Sequence, residues 1–105
     1  FELDGTDFTR ILFACYLARA GEPDRARRLA EAVDESPELY YNLACTWALV
    51  GEKSRALDLL ERDFSVNHLT PRARNLHREW AVRDRDLEPL AGEERFRLLM
   101  RREEG

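Results

Sequence analysis

The sequence has no apolar run as long as the ~18 residues that a membrane-spanning helix needs, and its N-terminus shows no signal-peptide pattern. It contains two cysteines among 105 residues, too few for a disulfide framework. Positive charge is not in excess, because the formal net charge is −4, and no overall basic field favours a nucleic-acid partner. Strand-type alternation of apolar and polar residues is also absent. We therefore expect a helical domain without a membrane partner.

The sequence is rich in apolar residues and in charges of both signs. Hydrophobic residues make up 44% and charged residues 36% of the chain, a mixture that favours amphipathic helices around a core over disorder. The length suits one domain. Because the chain does not begin with Met, we expect it to be a segment excised from a longer protein.

A repeat with a spacing of 30 residues is the strongest pattern in the sequence. Residues 13–31 and 43–61 align without a gap, and nine positions are identical. In the first copy these positions are Ala14, Cys15, Ala18, Gly21, Glu22, Arg25, Ala26, Leu29 and Glu31. A period of this size predicts stacked supersecondary units.

The two cysteines occupy equivalent positions of the repeat, Cys15 and Cys45. Packed helices would place such positions about 8–10 Å apart, whereas a disulfide needs Cα atoms within about 7 Å. We therefore predict two free thiols and a reducing, cytoplasmic setting.

Helix signals alternate with short breakers along the chain. The predicted helices cover about residues 7–20, 23–33, 37–50, 53–63, 71–82 and 93–102, with a loop at 64–69. Gly21 and Gly51 supply the left-handed residues that end the first and third helices. Thr70 is a good N-cap for the fifth.

Side-chain size and spacing predict which faces are buried. Small residues recur where paired helices should approach closely: Ala14, Ala26, Ala44 and Ala56. In the fifth helix, Ala73, Leu76 and Trp80 lie on one stripe that we expect to face the core.

Residues 40–61 resemble a tetratricopeptide repeat. The aromatic, small and turn positions of that family are matched by Tyr40, Leu43, Ala44, Trp47, Gly51 and Ala56. Residues 85–99 are similar to the segment that often closes bacterial arrays of this family. The resemblance implies an all-α fold in which antiparallel helix pairs stack as a short α-solenoid of about six helices. The units would span about residues 7–34 and 36–64, with a degenerate capping unit at 70–104.

The resemblance also implies a concave binding surface lined by the first helix of each pair. The residues that map to this surface are Phe8, Ile11, Cys15, Arg19, Glu38, Tyr41, Cys45 and Leu49. Their mostly apolar character favours an amphipathic helix or apolar peptide over an acidic C-terminal tail. The expected function is a non-enzymatic protein–protein interaction module, whose partner is another protein or a second copy of this chain.

Two other interpretations stay open. The apolar surface could be covered by residues 1–5, by a flanking helix outside this sequence or by a dimer mate. The second hypothesis is a structural role as an oligomerisation or spacer segment of a larger protein, which a stable dimer burying Phe8 and Ile11 would favour.

The fifth helix and the residues after it carry a cluster of arginines. Arg72, Arg74, Arg78, Arg83 and Arg85 are interleaved with His77 and Trp80. Arginine beside aromatics can bind phosphates and stacked bases, which makes an RNA-associated module a third possibility. A solvated helix face is favoured over it, with Glu79 and Arg83 forming a pair one helical turn apart.

Catalytic and metal-binding motifs are not apparent in the sequence. His68, His77, Cys15 and Cys45 are scattered, without the close spacing that metal ligands show in zinc motifs. No phosphate loop or nucleophile elbow is present. We expect no catalytic residue, no metal, no cofactor and no small-molecule substrate.

Overall fold

A computed structural model describes the backbone of residues 3–104 and the side chains of residues 7–104. Within this range it contains helices and no strand. The α-helices are α1 (Leu3–Arg19), α2 (Pro23–Glu31), α3 (Tyr40–Leu49), α4 (Lys53–Asn67), α5 (Pro71–Ala81) and α6 (Glu94–Leu99). Two 3-10 segments, Pro37–Leu39 and Arg85–Leu90, lie between them. The prediction of an all-α fold is confirmed.

Several helix boundaries differ from the predicted ones. Helix α4 continues to Asn67, so the loop predicted at 64–69 is wrong over residues 64–67. The burial of Phe64, which is 3% exposed, keeps this turn of the helix against the core. The third predicted helix begins instead as a 3-10 turn at Pro37, a common form for a first turn.

The turns after α1 and α3 have the same geometry. Gly21 has φ +84° and Gly51 has φ +94°, the left-handed region in which other residues are strained. The N–H of Glu22 donates to the Leu17 carbonyl at 2.9 Å, and the N–H of Glu52 donates to the Trp47 carbonyl at 2.9 Å. The sequence repeat therefore corresponds to a repeated backbone geometry. Both glycines end their helices in the left-handed conformation, as predicted.

The core is centred on α3. Residues Leu43–Ala48 of this helix are all buried, and α3 packs against α1, α2, α4 and the 3-10 segment Arg85–Leu90. The predicted close contacts are confirmed, because the following residues are each 0% exposed: Ala14, Ala26, Ala44 and Ala56. Both cysteines are buried free thiols, also as predicted.

Helix α5 contradicts the predicted orientation of its apolar stripe. Leu76 is 68% and Trp80 69% exposed. The side chains that α5 buries are those of Asn75, Arg78 and Ala81. The helix is therefore rotated about its axis so that the polar side chains of Asn75 and Arg78 face inward.

None of the helices in the described part of the chain is long and apolar enough to cross a membrane.

Candidate interaction surface

Helix α5 is held on one flank by the C-terminal segment. Thr70 caps the helix as predicted, accepting a hydrogen bond from the Ala73 N–H at 3.1 Å. Arg78 donates through Nε to the Leu99 carbonyl at 2.7 Å and through Nη1 to Asn75 Oδ1 at 2.9 Å. Asn75 in turn donates to the Glu103 carbonyl at 2.7 Å. These bonds bring the polar face of α5 against residues 99–103.

The carboxylate of Glu103 joins two arginines of α5. Arg74 binds it through two parallel hydrogen bonds of 2.6 and 2.7 Å, and Arg78 Nη2 lies 2.7 Å from Oε2. Hydrogen bonds from Arg74 and Arg78 lower the pKa of Glu103 to about 2. The carboxylate is therefore ionised at neutral pH, and its bonds to Arg74 and Arg78 fix the orientation of α5 about its axis.

On its other flank, α5 is tied to α4 through a histidine. His77 Nε2 lies 2.8 Å from Oδ2 of Asp63, a carboxylate that is 3% exposed. Asn67 donates to the other oxygen of Asp63 at 2.8 Å. Burial raises the pKa of Asp63, but the hydrogen bonds from His77 and Asn67 outweigh it, and the net pKa is lowered.

A second histidine completes this group. His68 Nε2 lies 3.4 Å from Asp63 Oδ2, and the His68 and His77 rings stack with centroids 3.8 Å apart. Burial and the neighbouring His77 lower the pKa of His68. The sequence did not indicate this cluster, since the three residues meet only because the chain reverses between α4 and α5. The one available signal was Asp63 itself, a carboxylate that follows Leu59 and Leu60 at helical spacing.

With both flanks fixed, the third face of α5 points outward. Beside it lies a surface cavity of about 770 Å³ lined by Leu76, Glu79, Trp80, Arg83, Asp84 and Arg85. A smaller cavity of about 320 Å³ on the same face is lined by His68, Ala73, Leu76, His77 and Trp80. We call the exposed part of this region the α5 surface, formed by Ala73, Leu76, Glu79, Trp80, Arg83 and Arg85.

The charges on the α5 surface differ in their partners. Glu79 pairs with Arg102 at 3.0 Å, and the predicted pair of Glu79 with Arg83 is wrong. Among residues 7–104, the side chains of Arg83 and Arg85 make no ion pair or hydrogen bond. The guanidinium groups of Arg83 and Arg85 therefore have no carboxylate partner within residues 7–104, and they line the same cavity as the exposed Trp80.

The predicted solvated arginine face is only partly correct. Arg74 and Arg78 turn toward Glu103 rather than toward solvent, and Arg78 is 8% exposed. Arg72, Arg83 and Arg85 are exposed. The physical reason is the ionised Glu103, which attracts two of the five arginines to one place.

The concave surface predicted on α1 and α3 is closed by the chain itself. The strap Asp84–Leu90 packs across α3, with Leu87 and Leu90 at 1% and 0% exposed. Three predicted groove residues lie in the core: Ile11, Cys15 and Cys45, at 0%, 3% and 2% exposed. These positions do not form an open groove, because α1 packs against α3 and the strap lies against α3 at Cys45.

Two polar groove residues bind the strap. The Tyr41 hydroxyl donates to Asp84 Oδ2 at 2.6 Å, and Arg19 Nε donates to Asp86 Oδ1 at 2.9 Å. Burial and the bond to Asp84 raise the pKa of Tyr41. Tyr41 and Arg19 thus contribute to closing the groove, although the sequence assigned them to a partner.

The thiols under the strap are kept protonated. Burial, and then the charge of Asp84, raise the pKa of Cys45. Burial likewise raises the pKa of Cys15, whose sulfur lies 3.1 Å from the Thr46 hydroxyl. A neutral, buried thiol is a poor nucleophile.

The other predicted groove residues remain at least partly accessible. Phe8 is 45% exposed, Glu38 is exposed and Leu49 is half-buried. Phe8 belongs to a second apolar patch on α1, whose other members are Leu12, Phe13 and Tyr16. The Phe13 and Tyr16 rings stack with centroids 6.2 Å apart.

Comparison with protein-family models gave no match. Searches of curated proteins and of solved structures likewise found no similar protein.

Proposed function

We propose that this chain is a non-enzymatic protein–protein interaction module and that its partner binds the α5 surface. The observation that carries the proposal is the outward stripe of α5, with Leu76 and Trp80 about two-thirds exposed beside a cavity of about 770 Å³. Exposed apolar patches with polar rims mark interaction sites. Tryptophan and arginine, both present here, are the residues most enriched at binding hot spots.

The chemistry of the surface defines the partner. Its apolar centre suits the apolar stripe of a helical peptide, as in helix-in-groove recognition. Arg83 and Arg85 at the rim suit carboxylates on that peptide, because both cations lack partners within the described residues. We therefore propose an amphipathic helix with acidic residues beside its apolar stripe.

Tetratricopeptide-like architecture is part of the proposal. It is supported by the Gly21 and Gly51 turns and by the buried alanines of the two repeats. The strap Asp84–Leu90 and α6 would act as the closing unit, which moves the binding site from the inner groove to α5. The two free thiols support a reducing, cytoplasmic setting.

Selection from a displayed library of short peptides tests this function. We expect the selected peptides to carry apolar residues at helical spacing with acidic neighbours, and to change the fluorescence of Trp80 on binding. Trp80→Ala should abolish binding with an unchanged circular dichroism spectrum. Tyr16→Ala is the matched control, since Tyr16 is a similarly exposed aromatic, at 60%, on α1. Binding that is lost with Tyr16→Ala and kept with Trp80→Ala would refute the assignment.

Self-association and RNA binding are the rival outcomes. Sedimentation over a range of concentrations would show a dimer that Trp80→Ala dissociates if the partner is a second copy. Titration with single-stranded RNA would show salt-dependent binding, lost with Arg83→Glu and Arg85→Glu, if Trp80 stacks on bases. Either result without peptide binding would replace the proposed partner.

A further inference from the structure

Three potential metal ligands converge where α4 meets α5. Asp63, His68 and His77 each offer one ligand atom, and these atoms all lie within 4.8 Å of one another. Asp63 projects from α4, His68 lies just beyond the end of that helix and His77 projects from α5. The cluster is therefore built from separate turns of the chain rather than from a local motif.

The distances are close to those that a zinc ion requires. Zinc binds His nitrogen and carboxylate oxygen at about 2.0–2.1 Å, which in a tetrahedron separates ligand atoms by about 3.3 Å. Asp63 Oδ2 lies 3.4 Å from His68 Nε2 and 2.8 Å from His77 Nε2. The first distance needs no change and the second must lengthen by about half an ångström.

The histidine rings must open from their stack to point both nitrogens at one ion. Their planes are 20° apart. His68 can make this movement because it lies outside α4 with an extended backbone, φ −131° and ψ 93°. His77, on α5, must move about half an ångström away from Asp63 Oδ2.

The surroundings resemble those of a metal site. Asn67 donates to the free oxygen of Asp63 at 2.8 Å, the kind of outer-shell bond that orients a ligating carboxylate. Phe64 packs against both rings, with centroid distances of 5.8 and 4.8 Å, and gives the site an apolar wall. On the other side, both histidines border the cavity of about 320 Å³, which leaves room for a fourth ligand.

We propose that Asp63, His68 and His77 bind one Zn²⁺ ion, with water from the adjoining cavity as the fourth ligand. Two imidazoles and one carboxylate are a ligand set that zinc accepts when a position is left for water. The ion would join α4 to α5 at the point where the chain reverses. The proposal does not depend on whether the α5 surface binds a peptide.

A second group of potential ligands, Cys45, Asp84 and Asp86, provides the contrast. Asp86 is already bound by the Arg19 guanidinium, and Asp84 accepts the Tyr41 hydroxyl. A cation placed there would meet Arg19 and a thiol that burial keeps protonated. Cys45→Ser is therefore the matched control variant.

Calorimetric titration of the untagged, metal-free protein with Zn²⁺ tests the proposal. We expect one ion per chain, with binding weakened at least about tenfold in His77→Gln and Asp63→Asn and about 10–100-fold in Asn67→Ala. Cys45→Ser should bind as the parent does. No saturable binding, or binding that survives both ligand substitutions, would overturn the assignment.

Cobalt substitution gives a readout that does not depend on how well the variants fold. Co²⁺ bound to the parent protein should show the visible absorption of a four- or five-coordinate nitrogen–oxygen site. An intense thiolate charge-transfer band would place the metal at a cysteine instead and would overturn the proposal.

Discussion

Helices α3 and α5 are 10 and 11 residues long and each carries one of the two tryptophans. Trp47 of α3 is 1% exposed, whereas Trp80 of α5 is 69% exposed. Helix α3 is surrounded by other elements and buries its side chains almost all round. Helix α5 buries polar side chains and presents its apolar stripe to solvent. Two helices of similar length are thus oriented by different forces.

The magnitudes explain why polar contacts decide the orientation of α5. Burying Leu76 would gain about 1.5–3 kcal/mol. Turning α5 to do so would break the bonds of Arg78 to Leu99 and Glu103 and the bond of Asn75 to Glu103. The same turn would also bury Trp80. A hydrogen bond to a charged group is comparable in free energy to the burial of one apolar side chain, and the polar bonds of α5 to Asp63, Leu99 and Glu103 outnumber Leu76 and Trp80. In α3 the polar bonds of Tyr41 and Thr46 form while Leu43 and Trp47 are buried, so they do not oppose apolar burial.

The largest expected contrast comes from shortening a leucine in each helix. Leu43→Ala on α3 should lower the free energy of unfolding by about 2–5 kcal/mol, because Leu43 is 0% exposed and its loss leaves a cavity. Leu76→Ala on α5 should change it by less than about 0.5 kcal/mol. Urea denaturation followed by circular dichroism measures both. Equal losses in the two variants would remove the distinction between the helices.

An intermediate effect is expected from the buried arginine of α5. Arg78→Leu removes the donor to the Leu99 carbonyl and should cost about 1–3 kcal/mol, because that acceptor loses its partner. Hydrogen exchange should accelerate at α5 more than at α3, since α5 depends on this bond. Arg72→Leu, at an exposed arginine of the same helix, is the control. A variant that exchanges no faster at α5 would show that apolar contacts hold the helix.

A smaller effect is expected from acidification. The pKa of Glu103 is lowered from 4.5 to about 2 by Arg74 and Arg78, so its contribution is complete above pH 4.5. It is lost progressively as the pH falls through the pKa of the folded state. Hydrogen exchange at α5 should therefore show a loss of protection over this window that α3 does not share. Glu103→Gln should remove the part of this pH-dependent loss of protection that comes from Glu103. A pH profile in that variant identical to the parent's would contradict the assignment.

The repeated half of the fold is readable from the sequence because its determinants are local. Gly21 and Gly51 mark the turns, and Ala14 and Ala44 mark the close contacts. Each of these features follows from the size or backbone freedom of the residue itself. The helices of residues 7–64, their order and their closely packed alanines were accordingly predicted, whereas the burial of Ile11, Cys15 and Cys45 was not.

The candidate site was not readable in this way. An apolar stripe such as Leu76 and Trp80 predicts burial unless polar anchors compete, and the anchors of α5 are Asp63 and Glu103, 14 and 29 residues away from His77 and Arg74. The resemblance of residues 85–99 to a closing segment indicated a cap, but no sequence signal placed the strap Asp84–Leu90 over Cys45. Such contacts depend on tertiary structure, which local patterns do not contain.

The fluorescence of the two tryptophans tests the outward stripe of α5 most directly. Trp80→Phe leaves Trp47 as the emitter, and subtracting its spectrum from that of the parent gives Trp80. In dilute protein, we predict red-shifted emission from Trp80 that acrylamide quenches strongly, and blue-shifted, protected emission from Trp47. Blue-shifted emission from Trp80 that stays protected at the lowest protein concentration would show that α5 buries its apolar stripe, and would contradict the account.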